Sequence, residues 1–167
     1  MRAMTRPGTR AARLAAAGLA VALSCLLAAC GSSASGHPDY DVRVGTVTGL
    51  GRVLLDGAGH TLYMYVPDHQ GRSTCYRVCA QQWPPLLLPH GVRHPLAGPG
   101  VNDALLGTVT RSGGSVQVTY NRWPLYLYDA DVQPGQATGQ GDNMGLWYVL
   151  SPTGAVNHRP LPGQAGS

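Results

Sequence analysis

The chain has 167 residues, room for one ordinary domain, and contains neither Lys nor Glu, so Arg supplies its basic charges and Asp its acidic ones. The net charge of +4 belongs to the N-terminus: four arginines lie in the first thirteen residues, and from Asp39 onward eight Arg balance eight Asp. This neutral body excludes nucleic acid as a partner, because such binding needs a basic patch on the folded part.

The first 29 residues predict a lipoprotein signal peptide. An Arg-rich start precedes an apolar run, Leu14 to Ala29, that is short for a membrane-spanning helix and ends in small residues. The tetrapeptide Leu27-Ala28-Ala29-Cys30 resembles the lipobox of bacterial lipoproteins, in which the cysteine is acylated. We therefore predict that lipid chains such as palmitate on Cys30 hold the protein at the extracytoplasmic face of the cell membrane. An ordinary cleavage site or an uncleaved anchor is the alternative.

Residues 30–41 are rich in Gly, Ser and Pro and predict a flexible tether. A β domain is predicted at 42–154, followed by a flexible C-terminal tail at 155–167. Short apolar stretches, rich in β-branched and aromatic residues and bounded by turn residues, predict its strands at 42–44, 52–56, 61–65, 115–120, 125–128 and 146–150. One short helical turn is expected at 73–82, whereas the corresponding later stretch, 136–144, is too rich in glycine for a helix.

Three markers recur along the domain at offsets of 62, 63 and 64 residues. Gly45-Thr46-Val47-Thr48 returns as Gly107-Thr108-Val109-Thr110, Leu62-Tyr63-Met64-Tyr65 as Leu125-Tyr126-Leu127-Tyr128, and Trp83 as Trp147. We infer a tandem duplication, with repeat one at about 45–88 and repeat two at about 107–152. The predicted fold class is all-β: a pseudo-symmetric antiparallel structure, sandwich- or barrel-like, in which each repeat covers the apolar face of the other.

A Tyr-x-(Phe/Trp/Tyr)-x-x-Asp motif occurs once in each repeat, as Tyr63-Met64-Tyr65-Val66-Pro67-Asp68 and Tyr126-Leu127-Tyr128-Asp129-Ala130-Asp131. Together with Cys75, Cys79 and Trp83-Pro84-Pro85, this order of motifs resembles the bacterial family called secreted repeat of unknown function, over roughly residues 45–154. The resemblance implies an exported, often lipid-anchored, β-rich domain and no established activity. Arg77 departs from the family pattern, in which glycine is expected between the cysteines.

The motif tyrosines lie in pairs on one face of their strands, because side chains alternate along a strand. They form either the aromatic core, which the absence of Phe and Ile favours, or an open platform for a flat ligand. The aspartates that end the motifs, Asp68 and Asp131, are expected to fix turns by accepting from backbone N–H groups two residues on. Catalytic acids and a calcium loop are less favoured interpretations.

Cys75 and Cys79 are the only cysteines outside the signal peptide and the anchor, and an exported protein meets an oxidising compartment. The pair therefore predicts a local disulfide. The alternatives are free thiols or a copper(I) or redox site, for which Met64, His60 and His69 are nearby candidate ligands.

The sequence contains no hydrolase elbow, phosphate loop, dinucleotide fingerprint or zinc motif. We therefore predict no catalytic residue and no cofactor, and a lipid-anchored envelope protein whose duplicated domain is a non-enzymatic interaction or structural module for an unknown envelope ligand or protein. The competing hypothesis is an extracytoplasmic electron-transfer or copper-handling lipoprotein centred on Cys75 and Cys79.

Overall fold

The computed structural model describes residues 39–68 and 71–164. The predicted signal peptide, the lipidation site Cys30 and the candidate ligand His69 lie outside the described residues. Within those ranges no helix is long and apolar enough to cross a membrane.

Strands in the described ranges form three antiparallel sheets. The first pairs β1 (Val42–Val47) with β2 (Gly51–Asp56). The other two sheets have the orders β3-β7-β8 and β4-β5-β6. Their strands are β3 (Tyr63–Tyr65), β4 (Leu106–Thr110), β5 (Val116–Tyr120), β6 (Trp123–Pro124), β7 (Trp147–Leu150) and β8 (Val156–Asn157). The predicted all-β antiparallel class is confirmed.

The helical segments are short. Helix α1 (Val78–Gln82) begins five residues later than the predicted turn at 73–82, and a 3₁₀ turn spans Asp103–Leu105. A four-residue segment, α2 (Asp142–Gly145), overlaps the end of the stretch predicted to be too rich in glycine for a helix. It is not a regular helix, because Asn143 and Met144 have φ values of 52° and 59°, in the left-handed region.

Three strands were not predicted: β4, β8 and the two-residue β6, which pairs with the end of β5. β4 contains the second Gly-Thr-Val-Thr marker and pairs with β5 along its whole length. β8 pairs with β7 through Val149↔Asn157 and Leu150↔Val156, so the folded domain continues past the predicted boundary at residue 154. The predicted tail at 155–167 therefore begins too early.

The repeats complete one another's sheets. Strand β3 of repeat one pairs with β7 of repeat two, placing Tyr63 opposite Val149 and Tyr65 opposite Trp147. The matching pair on the other side is Tyr126 opposite Pro85, which is an isolated bridge and not a strand. Proline has no N–H to donate to a ladder, so Pro84 and Pro85 prevent a regular strand there. The predicted strand at 125–128 is therefore reduced to isolated bridges, although the segment around Pro85 lies beside it.

The buried side chains form two core clusters, and each draws on both repeats. The first core cluster includes Val53, Tyr63 and Trp83 of repeat one with Tyr126 and Trp147 of repeat two. The second core cluster, on the opposite faces of the same strands, consists of Val42, Leu54, Leu62, Met64, Leu86, Leu88, Val118, Tyr120, Leu125 and Leu150. Because neither cluster belongs to one repeat, each repeat buries the apolar face of the other.

Candidate functional site

The two copies of the motif exchange hydrogen bonds. The Tyr63 hydroxyl of repeat one donates to Oδ2 of Asp131 in repeat two. Reciprocally, the Tyr126 hydroxyl of repeat two donates to Oδ2 of Asp68 in repeat one, at 2.6 Å. The two tyrosine backbones also pair, with Tyr63 N–H to Tyr126 O at 2.8 Å and Tyr126 N–H to Tyr63 O at 2.9 Å. A local pseudo-twofold axis therefore passes between Tyr63 and Tyr126.

Each aspartate also closes the loop that follows its motif. Oδ1 of Asp68 accepts from the backbone N–H and the hydroxyl of Thr74, both at 2.7 Å. Oδ1 of Asp131 accepts from the same two groups of Thr138, at 2.9 Å and 2.5 Å. These donors lie six and seven residues on. At Asp131 the predicted donor two residues on, the N–H of Gln133, donates instead to Gln136 Oε1 at 2.8 Å, so the prediction was wrong there. At Asp68 the corresponding residue, Gln70, lies outside the described residues. The carboxylate is free for the longer loop because the tight turn is closed by the backbone, through Asp68 N–H to Tyr65 O at 2.9 Å.

Burial determines the protonation state of these groups. The Tyr63 and Tyr126 side chains are fully buried, and this burial, together with the adjacent carboxylate, raises the pKa of each hydroxyl far above its ordinary value. Burial also raises the pKa of Asp68, against the opposing effects of hydrogen bonds from Tyr126 and Thr74 and the charge of Arg111. Both tyrosines are therefore neutral hydrogen-bond donors at physiological pH.

A stack of four aromatic rings, which we call the ring stack, crosses the interface between the repeats in the order Tyr65, Trp147, Trp83, Tyr128. The two tryptophan rings are parallel, with centroids 3.9 Å apart and 4° between their planes. Each outer tyrosine stacks on the tryptophan of the other repeat, Tyr65 on Trp147 and Tyr128 on Trp83, with ring centroids 4.2 Å apart in both pairs. Tyr63 and Tyr126 meet Trp83 and Trp147 edge-on, at 5.3 Å and 5.2 Å.

The burial of the aromatic rings decides between an aromatic core and an open platform for a flat ligand. Tyr63 and Tyr126 are 0% exposed, and Trp83 and Trp147 are 2% and 1% exposed. Only the outer rings of the stack, Tyr65 and Tyr128, reach partial exposure. These side chains therefore form core, and no open cleft separates them for a flat ligand in the described part of the chain.

Arg111 breaks the symmetry between the two motif sites. It is buried, and its guanidinium donates to Ser73 Oγ at 2.5 Å, Gln117 Oε1 at 2.7 Å and Cys75 O at 2.6 Å. Ser73 Oγ lies 2.6 Å from the Tyr126 hydroxyl, so the cation is linked to the Asp68 site. The equivalent position of repeat one is Gly49, which supplies no such cation to Asp131. Sequence reasoning missed Arg111, although this break in the repeat directly after Gly-Thr-Val-Thr was its signal.

Cys75 and Cys79 form a disulfide, with a Cα–Cα distance of 5.3 Å. Between them, Arg77 has φ 54° and ψ −120°, a conformation in which glycine is strongly preferred. This backbone accounts for the glycine that the family pattern places there. Repeat two has Gly139 in the position of Cys75, where a Cβ atom would lie 2.5 Å from a ring atom of Trp83. The ring stack thus leaves no room for a second cysteine.

The candidate metal ligands are not brought together. Met64 is 1% exposed in the second core cluster, whereas the disulfide adjoins the first. His60 Nδ1 lies 3.5 Å from Asp56 Oδ2 at the end of β2. Across residues 39–68 and 71–164, no group of three or more His, Cys, Asp or Glu side chains is arranged to hold a metal ion. With both sulfur atoms in the disulfide, the pair offers no thiolate to copper.

A family model described as secreted repeat of unknown function matches the chain twice, at residues 46–87 and 107–151, which together make up more than half of its length. Both motif copies, both threonines that the aspartates bind and both stacked tryptophans lie inside these matches. Neither the curated proteins nor the solved structures give a significant match.

Proposed function

The chain belongs to the family of secreted repeats of unknown function, and on that premise we propose that it is a lipid-anchored, non-enzymatic module on the extracytoplasmic face of a membrane. The observation that supports this role is the internal use of the repeated motif. Its tyrosine hydroxyls and carboxylates bind one another across the repeats, so the motif builds the domain and leaves recognition to the surface loops.

The state of the motif groups argues against catalysis. Asp68 and Asp131 are 1% and 5% exposed, and each accepts from a tyrosine hydroxyl, a threonine hydroxyl and a backbone N–H. A general acid or base must reach the proton that it transfers, and a carboxylate so enclosed does not reach a substrate. Tyrosines with raised pKa values supply no phenolate nucleophile.

Mass spectrometry of the protein isolated from membranes tests the anchor. We expect the mature chain to begin at Cys30 and to carry the mass of a diacylglyceryl group and a further acyl chain. Cys30→Ser should release the domain from the membrane fraction, whereas Cys25→Ser, the matched control in the signal peptide, should leave it anchored. An unacylated mature N-terminus would contradict the proposal.

A turnover assay tests the absence of catalysis. The purified chain, offered envelope glycans, peptides and lipids, should convert none of them in a way that depends on Asp68 or Asp131. A turnover that Asp131→Asn abolishes while the circular dichroism of the folded domain is retained would overturn the non-enzymatic role.

A further inference from the structure

An apolar groove opens where the chain enters the domain. Asp39 and Tyr40, the first two described residues, line it together with Pro85–Pro89 and Leu127. Leu86 and Leu88 belong to the second core cluster, against which Tyr40 and Leu127 also pack. The groove is therefore the outer surface of that cluster.

Exposed leucines lie in and near the groove. Leu87 is 40% exposed and Leu96 is 50% exposed. A hydrogen bond from Val42 N–H to Leu96 O, at 3.0 Å, holds Leu96 beside the start of β1, two residues after Tyr40. Two exposed leucines and a partly exposed tyrosine thus lie around the entry point of the chain.

Few charged side chains lie in the segments that form this surface. The sequence from Pro84 to Asn102 contains no carboxylate, and its cationic or titratable side chains, His90, Arg93 and His94, are all exposed. Asp39, which lines the groove, is exposed, whereas Asp41 is buried.

The position of the predicted anchor limits how far this surface lies from lipid. Cys30 precedes Asp39 by nine residues. Whatever their conformation, nine residues span at most about 32 Å. Because Asp39 itself lines the groove, an anchor at Cys30 would hold the groove within about 32 Å of the bilayer.

We propose that this face, made of Tyr40, Leu87 and Leu96, with the exposed Arg93 three residues before Leu96 in the chain, is the surface on which the domain rests against a lipid bilayer. The leucines enter the interface between headgroups and acyl chains, tyrosine is enriched at that depth, and arginine is attracted to lipid phosphates. The inference rests on the proposed lipid anchor and goes beyond it, because it fixes which face of the module the membrane covers.

Lipid quenching of a tryptophan reporter tests the orientation. The full acylated chain carrying Leu87→Trp is placed in phosphatidylcholine and phosphatidylglycerol vesicles with bromine on the acyl chains near the interface. The matched control is Val78→Trp, since Val78 is 77% exposed on α1, whose Cys79 and Ala80 pack against the first core cluster. The native tryptophans are the same in both variants and give a constant background.

We expect bromolipid quenching of the Leu87→Trp chain to be about twofold greater than that of the Val78→Trp chain, with a blue shift of emission on vesicle binding. Equal quenching of the two reporters, on vesicles that carry the chain in flotation, would overturn the orientation and leave the anchor intact. A chain that does not float with the vesicles would overturn the anchor, and the orientation with it.

Discussion

The tyrosine hydroxyl distinguishes the first position of the motif from the third. Tyr63 and Tyr126 use the hydroxyl to bind the aspartate of the other repeat, so only tyrosine fits the first position. Tyr65 contributes its ring to Trp147, which any aromatic side chain can do. The aspartate accepts the cross-repeat bond and two loop bonds at once. The pattern Tyr-x-(Phe/Trp/Tyr)-x-x-Asp thus follows from three different physical tasks.

Removing one cross-repeat hydroxyl should weaken the fold. Tyr63→Phe and Tyr126→Phe should each lower the free energy of unfolding by about 1.5–3 kcal/mol, the range for buried hydrogen bonds to charged groups. Urea denaturation measures the change. The matched control, Tyr65→Phe in the same motif, keeps the ring on Trp147 and should change the free energy by less than about 0.5 kcal/mol. Equal effects of Tyr63→Phe and Tyr65→Phe would contradict the assignment.

The raised tyrosine pKa values predict loss of stability in alkali. Above pH 10, near the ordinary tyrosine pKa, the unfolded chain releases protons that Tyr63 and Tyr126 retain in the folded chain. The free energy of unfolding should therefore fall as pH rises, by about 1.4 kcal/mol per pH unit for each tyrosine. Denaturation at pH 10–12 measures this dependence of the free energy of unfolding on pH. Tyr63→Phe should reduce the slope by about 1.4 kcal/mol per pH unit, the contribution of one tyrosine. A slope unchanged by Tyr63→Phe would contradict the assignment of Tyr63 as a buried, neutral hydrogen-bond donor.

The segments between the strands differ between the repeats because each meets different neighbours. In repeat one, Cys75, Arg77 and α1 lie beside Arg111, which holds the Cys75 carbonyl. In repeat two, Gly139 passes directly beneath Trp83. The sequence indicated that the inserts differ but contained no sign of why, since the reason is a contact between distant residues.

A single methyl group tests the closeness of that contact. Gly139→Ala should destabilise the domain by about 1–3 kcal/mol, because its Cβ would lie 2.5 Å and 2.9 Å from ring atoms of Trp83 and force the ring stack apart. Thermal unfolding and the near-ultraviolet circular dichroism of the tryptophans measure the effect. An unchanged tryptophan signal with unchanged stability would contradict the close contact between Gly139 and Trp83.

The disulfide should be a local support that the fold can lose. It closes a loop from Cys75 to Cys79, for which chain entropy gives about 2 kcal/mol. The double substitution Cys75→Ser, Cys79→Ser should lower stability by about that amount while the domain stays folded, since repeat two has no such bond. Thiol titration of the protein purified without reductant should find neither cysteine reactive. Two reactive thiols with stoichiometric copper would instead restore the copper-handling hypothesis.

The domain consists of two copies of one repeat, and each copy completes the core and the hydrogen bonds of the other. The duplication, the all-β class and the burial of the motif rings followed from sequence, because repeated markers, β-branched strands and the absence of Phe and Ile are local facts. The hydrogen bonds that the two motif copies exchange could not be predicted from the sequence. The loop bond from Thr74 to Asp68, the contacts of Arg111 and the bridge between Tyr126 and Pro85 all depend on residues that only the folded chain brings together.

Separation of the repeats is the most direct measurement of this interdependence. Fragments 39–100 and 101–164, compared by nuclear magnetic resonance alone and mixed in equal amounts, test whether either repeat folds without the other. Each fragment alone should give the narrow amide spectrum of an unfolded chain, and the mixture should recover the dispersed spectrum of the intact domain. A dispersed, folded spectrum from either fragment alone, at a concentration where it is a monomer, would contradict the account.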